Sequence, residues 1–377
     1  MEVFMKKRIA LALVAVMVLS LVAGCGKKDS KFTPYDYSDY VTLGEYTNLD
    51  IEVDSAEVTE KQMEEFRQSV IDAMTTQEHV TDRVVGEKDK IHLQFTGYLD
   101  GKAFEGGSTG EKGTDYTIGG GYIKDLNDQL IGLECGKEYS LNCTFPKDYG
   151  KDELNGKDVV FVVTVDYIFG DDIVPEYTDE LVKEYSEKKF TTIEDFEKDA
   201  RKTLAEQNLS EQDQKWKAAL ISTIIENAEI KELPADRLEE IYSDYYDYYK
   251  NMYTTYASYF GMTYESLLAA DGLTDAKLQE ECRKIAESQL QSIVVMTVIG
   301  KAENMALSDE EYESEANAFV EAESLSSLAD IEKNYGKAYV YETLLLERVA
   351  DFLYKNNKMV VTEPKDDTEE EATTGAE

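Results

Sequence analysis

Basic side chains, histidine and cysteine are scarce in this chain of 377 residues. Lysine and arginine total 39 against 78 aspartates and glutamates, so the formal net charge is −39 at pH 7. Such a charge repels a phosphate backbone and excludes simple nucleic-acid binding. The two histidines, His79 and His92, have no other ligand at metal-binding spacing. The sequence therefore predicts no metal site, and we interpret both histidines as surface residues.

The four cysteines form no recognisable framework. Cys135 and Cys143 lie eight residues apart on a segment whose alternation predicts an extended strand. Such a strand spans roughly 25 Å, beyond disulfide reach, so we expect free thiols and a small core hydrophobe at Cys143. Cys282 lies alone in a helical pattern. The glycines over 106–121 precede no Gly-Lys-Ser/Thr, which disfavours nucleotide binding, and we expect no cofactor.

The amino terminus has the pattern of an export signal. Basic residues at positions 6–8 precede an apolar run over 9–22, which is too short for a membrane span. The ending Leu-Val-Ala-Gly-Cys resembles the lipobox of bacterial lipoproteins. We therefore predict that residues 1–24 are removed and that Cys25 is lipidated. The alternative is an ordinary cleaved signal with an incidental cysteine.

The rest of the chain changes character along its length. Strand patterns cluster before Gly170, and helical periodicity follows almost to the end. The predicted segments are a polar tether over 25–45, a strand and a helix over 46–84, a β-rich module over 85–170, a helical part over 171–362 and a disordered acidic tail over 363–377.

The most informative stretch runs from Ile91 to Ile168. It begins IHLQFTGYLDGKAFEGG, with a tight turn at Asp-Gly, and ends DVVFVVTVDYI. Phe95 and Phe161 are each in phase with apolar residues two positions away, so each faces the inside of a small β module. No Ser/His/Asp set or pair of acids accompanies these rings. The pattern predicts a pocket that works without acid–base chemistry.

These residues resemble trigger factor, a family of bacterial folding chaperones with an FKBP-type peptidyl-prolyl isomerase domain. The matching pieces are LGEYTNLDIEV, the FTG…DGKAFEGG run, GLECGKEYSLNCTFPKDY, LNGKDVVFVVTV and the helical remainder. The resemblance implies an α+β multidomain fold. It would combine an FKBP-like antiparallel sheet and short helix over 85–170 with an all-helical chaperone domain over 171–362, which the segment 46–84 would join.

The resemblance also implies a site. The isomerase pocket would consist of Phe95, Phe104, Glu105, Tyr116, Ile123, Leu126, Tyr149 and Phe161. Tyr149 would donate its hydroxyl to a substrate carbonyl, and Glu105 would fill the acidic position after the second phenylalanine. Two departures reduce the expected turnover, because Leu126 replaces an aromatic residue and Lys124-Asp125 replaces Pro-Gly. The alternative interpretation is that these aromatics only fill a small β core.

A tyrosine-rich stretch stands out in the helical part. Residues 242–264 contain nine tyrosines and one phenylalanine. Rings with a polar tip can contact varied unfolded segments, so we predict client binding along one stripe. The stripe residues are Tyr245, Tyr249, Tyr253, Tyr256 and Phe260. The alternative is that the stripe packs against a neighbouring helix.

The sequence therefore predicts an exported foldase, anchored through Cys25 at the extracytoplasmic face of the bacterial cell membrane. It would isomerise X-Pro bonds and hold unfolded or newly exported polypeptides. We expect no ribosome binding, because nothing in the chain matches the Gly-Phe-Arg-x-Gly-Lys loop of the family. A non-catalytic holdase is the alternative. A solute-binding lipoprotein is disfavoured, because the two-lobed α/β alternation is missing.

Overall fold

A computed structural model describes residues 35–363. The predicted signal peptide, Cys25 and nearly all of the acidic tail lie outside the described residues. Among residues 35–363, no helix has both the length and the apolar character needed to cross a bilayer. The strands are β1 (Val41–Thr42), β2 (Asp50–Asp54), β3 (Thr76–Val80), β4 (Lys90–Leu99), β5 (Lys102–Ser108), β6 (Thr114–Thr117), β7 (Glu138–Thr144), β8 (Asp158–Ile173), β9 (Glu229–Ile230) and β10 (Lys358–Thr362).

The helices carry most of the second half of the chain. They are α1 (Glu60–Met74), α2 (Lys124–Leu130), α3 (Asp179–Tyr185), α4 (Ile193–Asn227), α5 (Ala235–Tyr259), α6 (Tyr264–Ala270), α7 (Asp275–Ala302), α8 (Asp309–Ala322), α9 (Leu328–Tyr335) and α10 (Lys337–Asn356). The described residues form two compact units. We name them the β-rich unit (58–203) and the helical unit (35–57 and 204–363), with the boundary inside α4.

Six strands form the antiparallel sheet of the β-rich unit. β4 and β8 pair along their length, β5 and β6 flank β4, and β3 and β7 flank β8. Ile91 and Leu93 are fully buried, as are Val163 and Val165 on β8, so the inner face of the sheet forms the core with α2. The predicted alternation of faces is confirmed. The predicted tight turn is also present between β4 and β5, where Asp100 and the glycine after it both have positive φ.

A second, smaller core corrects the predicted domain assignment. The sequence predicts that α1 joins the helical body, yet it belongs to the β-rich unit. Its Val70 is fully buried with Val182 of α3 and Phe196 of α4. Arg67 of α1 also pairs with Glu197 of α4, with 2.7 Å between Nε and Oε1. Periodicity identifies the apolar face of α1, but it cannot identify partners that lie more than 100 residues away.

Two helices begin with a capping box. Thr59 and Gln62 form a capping box at α1, and Ser308 and Glu311 form another at α8. In each box the hydroxyl accepts the backbone N–H three residues later, and the longer side chain accepts the N–H of the cap residue. Both boxes satisfy backbone donors that a helix leaves unpaired at its start.

The helical unit is organised around α7. Leu290, Val294 and Ile299 of this helix are fully buried, and α7 packs against α5 and α10. β2 and β10 pair in parallel, which joins the two chain segments of the unit. β2 agrees with the strand predicted within 46–84. The two-residue strand β9, which pairs with β1, is too short to show a period, so the sequence does not predict it.

The predicted polar tether over 25–45 is wrong for its described half. Tyr37 is 3% exposed and Val41 is 4% exposed, and both belong to the core of the helical unit. The Tyr37 hydroxyl donates to Glu342 Oε1 at 3.1 Å, and Glu342 pairs with Arg237 at 2.6 Å. Burial raises the pKa of Glu342, while the Arg237 guanidinium opposes that rise. The segment is held because it covers a buried ion pair and supplies a hydrogen bond to its carboxylate.

Candidate active site

Aromatic rings form a continuous group on the inner face of the sheet in the β-rich unit. Neighbouring ring centroids are 4.0–6.3 Å apart, so each ring contacts at least one other ring. We name this group the aromatic cluster. Its seven members are Phe95, Phe104, Tyr116, Tyr122, Phe145, Tyr149 and Phe161.

Phe161 lies at the centre of the aromatic cluster. It is 5% exposed on β8, and alternate residues of that strand place it on the core side. The centroid of its ring lies 5.6 Å from that of Phe95, 6.0 Å from that of Phe104 and 6.3 Å from that of Phe145. The first two ring pairs are nearly perpendicular. Edge-to-face pairs are worth about 0.5–1.5 kcal/mol each beyond area burial, so these contacts hold the central ring in place.

Two glycines leave the space that the Phe104 ring occupies. A Cβ atom at Gly97 would lie 2.5 Å from the Phe104 ring, and one at Gly107 would lie 2.4 Å from it. Real Cβ atoms do not approach so closely, so a larger residue at either position would displace the ring. The sequence pattern led us to consider Gly107 only as part of a possible nucleotide-binding loop, which gives it no packing role. Gly97 is paired opposite Phe161 in the sheet, which explains why Phe104 can lie across both.

The tyrosine side of the cluster is held by a buried amide. Tyr116 and Tyr122 are stacked at 4.0 Å, and the Tyr116 hydroxyl donates to Asn127 Oδ1 at 2.6 Å. The Gly119 N–H donates to the same oxygen at 2.8 Å, and Asn127 Nδ2 donates to the Tyr122 carbonyl at 2.8 Å. Asn127 is 8% exposed. These contacts make Asn127 part of the site.

α2 forms the base of the cluster. Leu126 is 2% exposed and Ile123, just before the helix, is 9% exposed, and both pack in the same core as the rings. The Thr144 N–H donates to Asp125 Oδ2 at 3.0 Å, which ties the start of α2 to the end of β7. Asp125, at the departure Lys124-Asp125, therefore makes a contact between helix and sheet.

Tyr149 and Glu105 are the most exposed of the predicted pocket residues. Tyr149 is 43% exposed and reaches the cluster through Phe145, whose ring centroid is 4.4 Å away. Its hydroxyl has no hydrogen-bond partner among residues 35–363 and is open to a ligand. Glu105 is exposed on β5, and within that same range it makes no hydrogen bond or ion pair. The structure thus brings seven of the eight predicted pocket residues together around this core and leaves Glu105 outside it.

Sequence reasoning missed three members of the site: Tyr122, Asn127 and Phe145. The sequence pattern does indicate a core position for Phe145, because this residue continues the alternation of Leu141 and Cys143 on the core side of β7. Tyr122 precedes a predicted pocket residue but lies in a glycine-rich loop, where no period fixes its direction. Asn127 carried no signal, because an asparagine in a short helix is usually exposed.

The cluster has no group that titrates near neutral pH. Its members are phenylalanines and tyrosines, and burial raises the pKa of Tyr122, with Tyr116 adding to the rise. The phenol therefore stays protonated at neutral pH and can only donate or accept hydrogen bonds. The arrangement is suited to binding an apolar group beside an amide and unsuited to proton transfer.

Both histidines lie on the outer face of the sheet, as predicted, but His92 is only partly exposed. Its side chain is 20% exposed, and Nδ1 lies 2.8 Å from Asp115 Oδ1. His79 and His92 both stack on Tyr167, at 3.6 and 5.1 Å between ring centroids. This stack lies on the opposite face of the sheet from the aromatic cluster. Within the part of the chain that the structure describes, no group of three or more His, Cys, Asp or Glu residues is arranged to hold a metal ion.

The predicted client-binding stripe on α5 is divided by the structure. Tyr245 is 8% exposed and Tyr253 is 4% exposed, so both are packing residues, and Tyr249 is half-buried. The reason is that α5 packs against α6 and α7 through this face. Tyr256 and Phe260 are exposed. With neighbouring exposed side chains they form a surface that we name the aromatic tip, made of Tyr256, Tyr259, Phe260 and Met262.

Comparison with known proteins agrees with this geometry. Residues 81–166 match the family described as FKBP-type peptidyl-prolyl cis-trans isomerase, and residues 192–355 match bacterial trigger factor protein (TF) C-terminus. The chain is 32% identical over 329 residues to the trigger factor of Halothermothrix orenii, covering 84% of this chain and 73% of that protein. It is 32% identical over 339 residues to that of Caldicellulosiruptor saccharolyticus, covering 87% and 73%. A solved trigger factor chaperone covers 84% of this chain and 72% of its own, with 19% identity and a TM-score of 0.36.

The two family matches coincide with the two kinds of structure. All seven rings of the aromatic cluster lie within 81–166, and the helices from α4 to α10 run from Ile193 to Asn356, almost the same range as the second match. The expected combination of an FKBP-type sheet with an all-helical domain is confirmed, and residues 81–166 are an FKBP-type peptidyl-prolyl cis-trans isomerase domain. From its cluster, its helices and its relatives, this chain belongs to the trigger factor family.

Proposed function

We propose that this protein is an exported, lipid-anchored foldase. It isomerises X-Pro bonds at the aromatic cluster and holds unfolded polypeptides at the aromatic tip, on the outer side of the cell membrane. The observation that carries the catalytic part is the cluster itself. Phe95, Phe104 and Tyr122 are half-buried and Tyr149 is exposed, so apolar walls meet solvent beside a buried ring.

Isomerisation of an X-Pro bond does not require an ionisable catalytic group. Rotation about an X-Pro bond crosses a barrier of ~18–20 kcal/mol, because the planar amide loses resonance halfway. Uncatalysed rotation takes ~10–100 s at 25 °C. A catalyst must bind the twisted amide better than the planar forms, since equal binding of both accelerates nothing. The twisted amide has less charge separation, so an apolar site favours it over the planar forms.

Each part of the cluster has a role in this scheme. Phe161 and Phe145 are buried and form a rigid floor, and the half-buried rings form walls that exclude water from the prolyl ring. Rigid walls matter because a preorganised site does not have to be rearranged during the reaction. The free hydroxyl of Tyr149 lies at the exposed side, where it can donate to a substrate carbonyl.

The catalytic proposal is tested with the full chain in an assay of X-Pro isomerisation on a short peptide. Tyr149→Ala removes the exposed ring, and we expect kcat/KM to fall by about tenfold, the effect of one lost hydrogen bond and its contact area. Tyr248→Ala is the matched control, because Tyr248 is 50% exposed but lies on α5. Wild-type protein without isomerase activity, but with intact suppression of aggregation, would select the non-catalytic holdase instead.

The holding activity is supported by the aromatic tip. Tyr259 is 82% exposed and Phe260 is 62% exposed, at a helix end where Gly261 follows with positive φ. Exposed apolar residues gathered at one place mark interaction surfaces more often than scattered ones do. Rings with few rotatable bonds can contact many sequences at small cost in conformational entropy. Unfolded or newly exported chains are the proposed partners.

The export proposal rests on the sequence pattern before the described residues. The mass of the mature chain, purified from membranes, tests it directly: we expect loss of residues 1–24 and a lipid on Cys25. Cys25→Ser should abolish labelling with a radioactive fatty acid, whereas Cys135→Ser should leave it unchanged. A cytoplasmic chain that keeps Met1 would contradict the proposal.

A further inference from the structure

The Asn127 carboxamide joins three pieces of backbone beside the aromatic cluster. It is 8% exposed and lies in the middle of a seven-residue helix, α2. Its Oδ1 accepts from the Tyr116 hydroxyl at 2.6 Å and from the Gly119 N–H at 2.8 Å. Its Nδ2 donates to the Tyr122 carbonyl at 2.8 Å and reaches the Ile123 carbonyl at 3.4 Å. Both ends of the amide are satisfied.

These contacts fix which way round the amide lies. The oxygen faces two donors and the nitrogen faces two carbonyl oxygens, so a flipped amide would place oxygen against oxygen. The Tyr116 hydroxyl also accepts from the Tyr122 N–H at 3.3 Å. Asn127, Tyr116 and the backbone around Tyr122 therefore form one closed network, and removing one member leaves buried partners unpaired.

The loop that this network holds is intrinsically flexible. Three consecutive glycines over 119–121 precede Tyr122, and glycine loses more conformational freedom on ordering than any other residue. Gly119 has φ +90°. Yet the Tyr122 ring at the end of this loop packs against Phe95, with 5.4 Å between the ring centroids, and stacks on Tyr116, with 4.0 Å between them. A wall of the cluster thus depends on a loop that has little stiffness of its own.

We propose that Asn127 is a positioning residue for the isomerase reaction: its carboxamide holds the glycine-rich loop so that Tyr122 forms a fixed wall of the prolyl groove. This inference rests on the proposed catalytic function of the cluster. Asn127 does not touch the substrate and acts through Tyr122 and Tyr116. A wall that moved would bind planar and twisted amides alike, and turnover would fall.

Asn127→Asp tests this directly, because it keeps the shape and the acceptor oxygen but replaces the donor. An ionised aspartate would face the Tyr122 and Ile123 carbonyls, while a protonated one could again donate to a carbonyl. In the full chain, with an uncharged X-Pro peptide, we expect kcat to be about tenfold below wild type at pH 8. The deficit should narrow as the pH is lowered to 5, with the wild-type profile flat over this range. Asn142→Asp, at an exposed asparagine on β7, is the matched control.

The outcomes separate this inference from the proposed function. Inactive wild-type protein would remove the isomerase proposal itself. If the wild type is active, two results would overturn the positioning role. One is an Asn127→Asp variant with the same kcat as wild type, and the other is a variant whose loss of kcat does not change with pH. If circular dichroism shows that Asn127→Asp does not fold, Tyr116→Phe decides. It keeps the ring but removes the hydroxyl that binds Asn127, and wild-type kcat in this variant would overturn the inference.

Discussion

The aromatic cluster of the β-rich unit and helix α5 of the helical unit are both crowded with rings, but they use them differently. In the cluster, rings contact rings at 4.0–6.3 Å. Around α5, partly buried hydroxyls reach acids: Tyr253 donates to Asp271 at 3.0 Å, and Tyr246 donates to Asp275 at 2.9 Å. A high density of tyrosine therefore does not by itself mark a binding surface. The partner of each hydroxyl separates packing residues from residues that are free to bind.

This difference extends to charge. The cluster holds no carboxylate, whereas α5 carries acids that are partly buried, and burial raises the pKa of Asp244 to about 6. Catalysis in the β-rich unit should therefore be insensitive to pH near neutrality. The stability of the helical unit should respond to pH. The following predictions test this contrast, from the largest expected effect to the smallest.

Removing the central ring should have the largest effect. Phe161→Ala is expected to lower the free energy of unfolding of the β-rich unit by about 3–5 kcal/mol, because a buried ring leaves a cavity among its neighbours. Isomerase activity should be lost with it. Urea unfolding followed by circular dichroism measures the change. Phe169→Ala, at a half-buried ring outside the cluster, is the control and should cost clearly less. Equal losses in the two variants would show that the cluster has no special packing role.

Removing one buried hydroxyl on α5 should have a smaller effect. Tyr253→Phe leaves the Asp271 carboxylate without its donor, and we expect the helical unit to lose about 1–2 kcal/mol of stability. Burial and Asp271 both raise the pKa of Tyr253, so its hydroxyl keeps its proton and stays a donor. Tyr256→Phe, at a ring that is 54% exposed on the same helix, should change nothing measurable. A Tyr256 variant as unstable as the Tyr253 variant would contradict the division of the stripe.

The raised pKa of Asp244 gives a pH-dependent prediction. Burial is the main cause, Glu240 and Asp247 add to the rise, and Arg237 opposes it. An aspartate in the unfolded chain titrates near ~3.9, so the folded state favours the protonated form. The stabilising effect of that preference is complete below pH 4 and is lost as the pH rises through about 6.

Asp244→Asn removes this dependence. The variant should be more stable than wild type by about 1 kcal/mol at pH 8, less than the full shift because the side chain is only partly buried. The gain should vanish near pH 4. Glu313→Gln, at an exposed acid on α8 that does not act on Asp244, is the control. Unfolding curves at pH 4 and pH 8 measure the gain in stability. A gain of the same size at both pH values would contradict the raised pKa of Asp244.

Changes at the aromatic tip should hardly affect stability. A Tyr259→Ser, Phe260→Ser double variant should stay within about 0.5 kcal/mol of wild type, since both rings are exposed. It should nevertheless suppress the aggregation of an unfolded test protein less well. Leu209→Ser, at a leucine that is 58% exposed on α4, provides the control. Light scattering measures how well each variant suppresses the aggregation of the test protein. If the double variant suppresses aggregation as well as wild type, the aromatic tip is not part of the client surface.

The sheet is more predictable than the helices because a strand has only two faces. Alternation along β4 and β8 predicts that Phe95 and Phe161 lie on the core side, and both rings pack there. On a helix a stripe of tyrosines is compatible with burial or exposure, and only the positions of α6 and α7 decide. Asn127 escapes prediction for a related reason, since its backbone partners Gly119 and Tyr122 lie in a glycine-rich loop that shows no period. The same limit explains the buried Tyr37, whose partner Glu342 is 305 residues away.

The central claim is that the aromatic cluster, and not the aromatic tip, binds the prolyl bond. It is tested most directly by nuclear magnetic resonance of the full chain with isotope-labelled phenylalanine and tyrosine rings, titrated with a short X-Pro peptide. The account predicts shifts of the Phe95, Tyr122 and Tyr149 signals and no shift at Tyr256 or Tyr259. Shifts confined to Tyr256 and Tyr259, with the cluster unchanged, would contradict it.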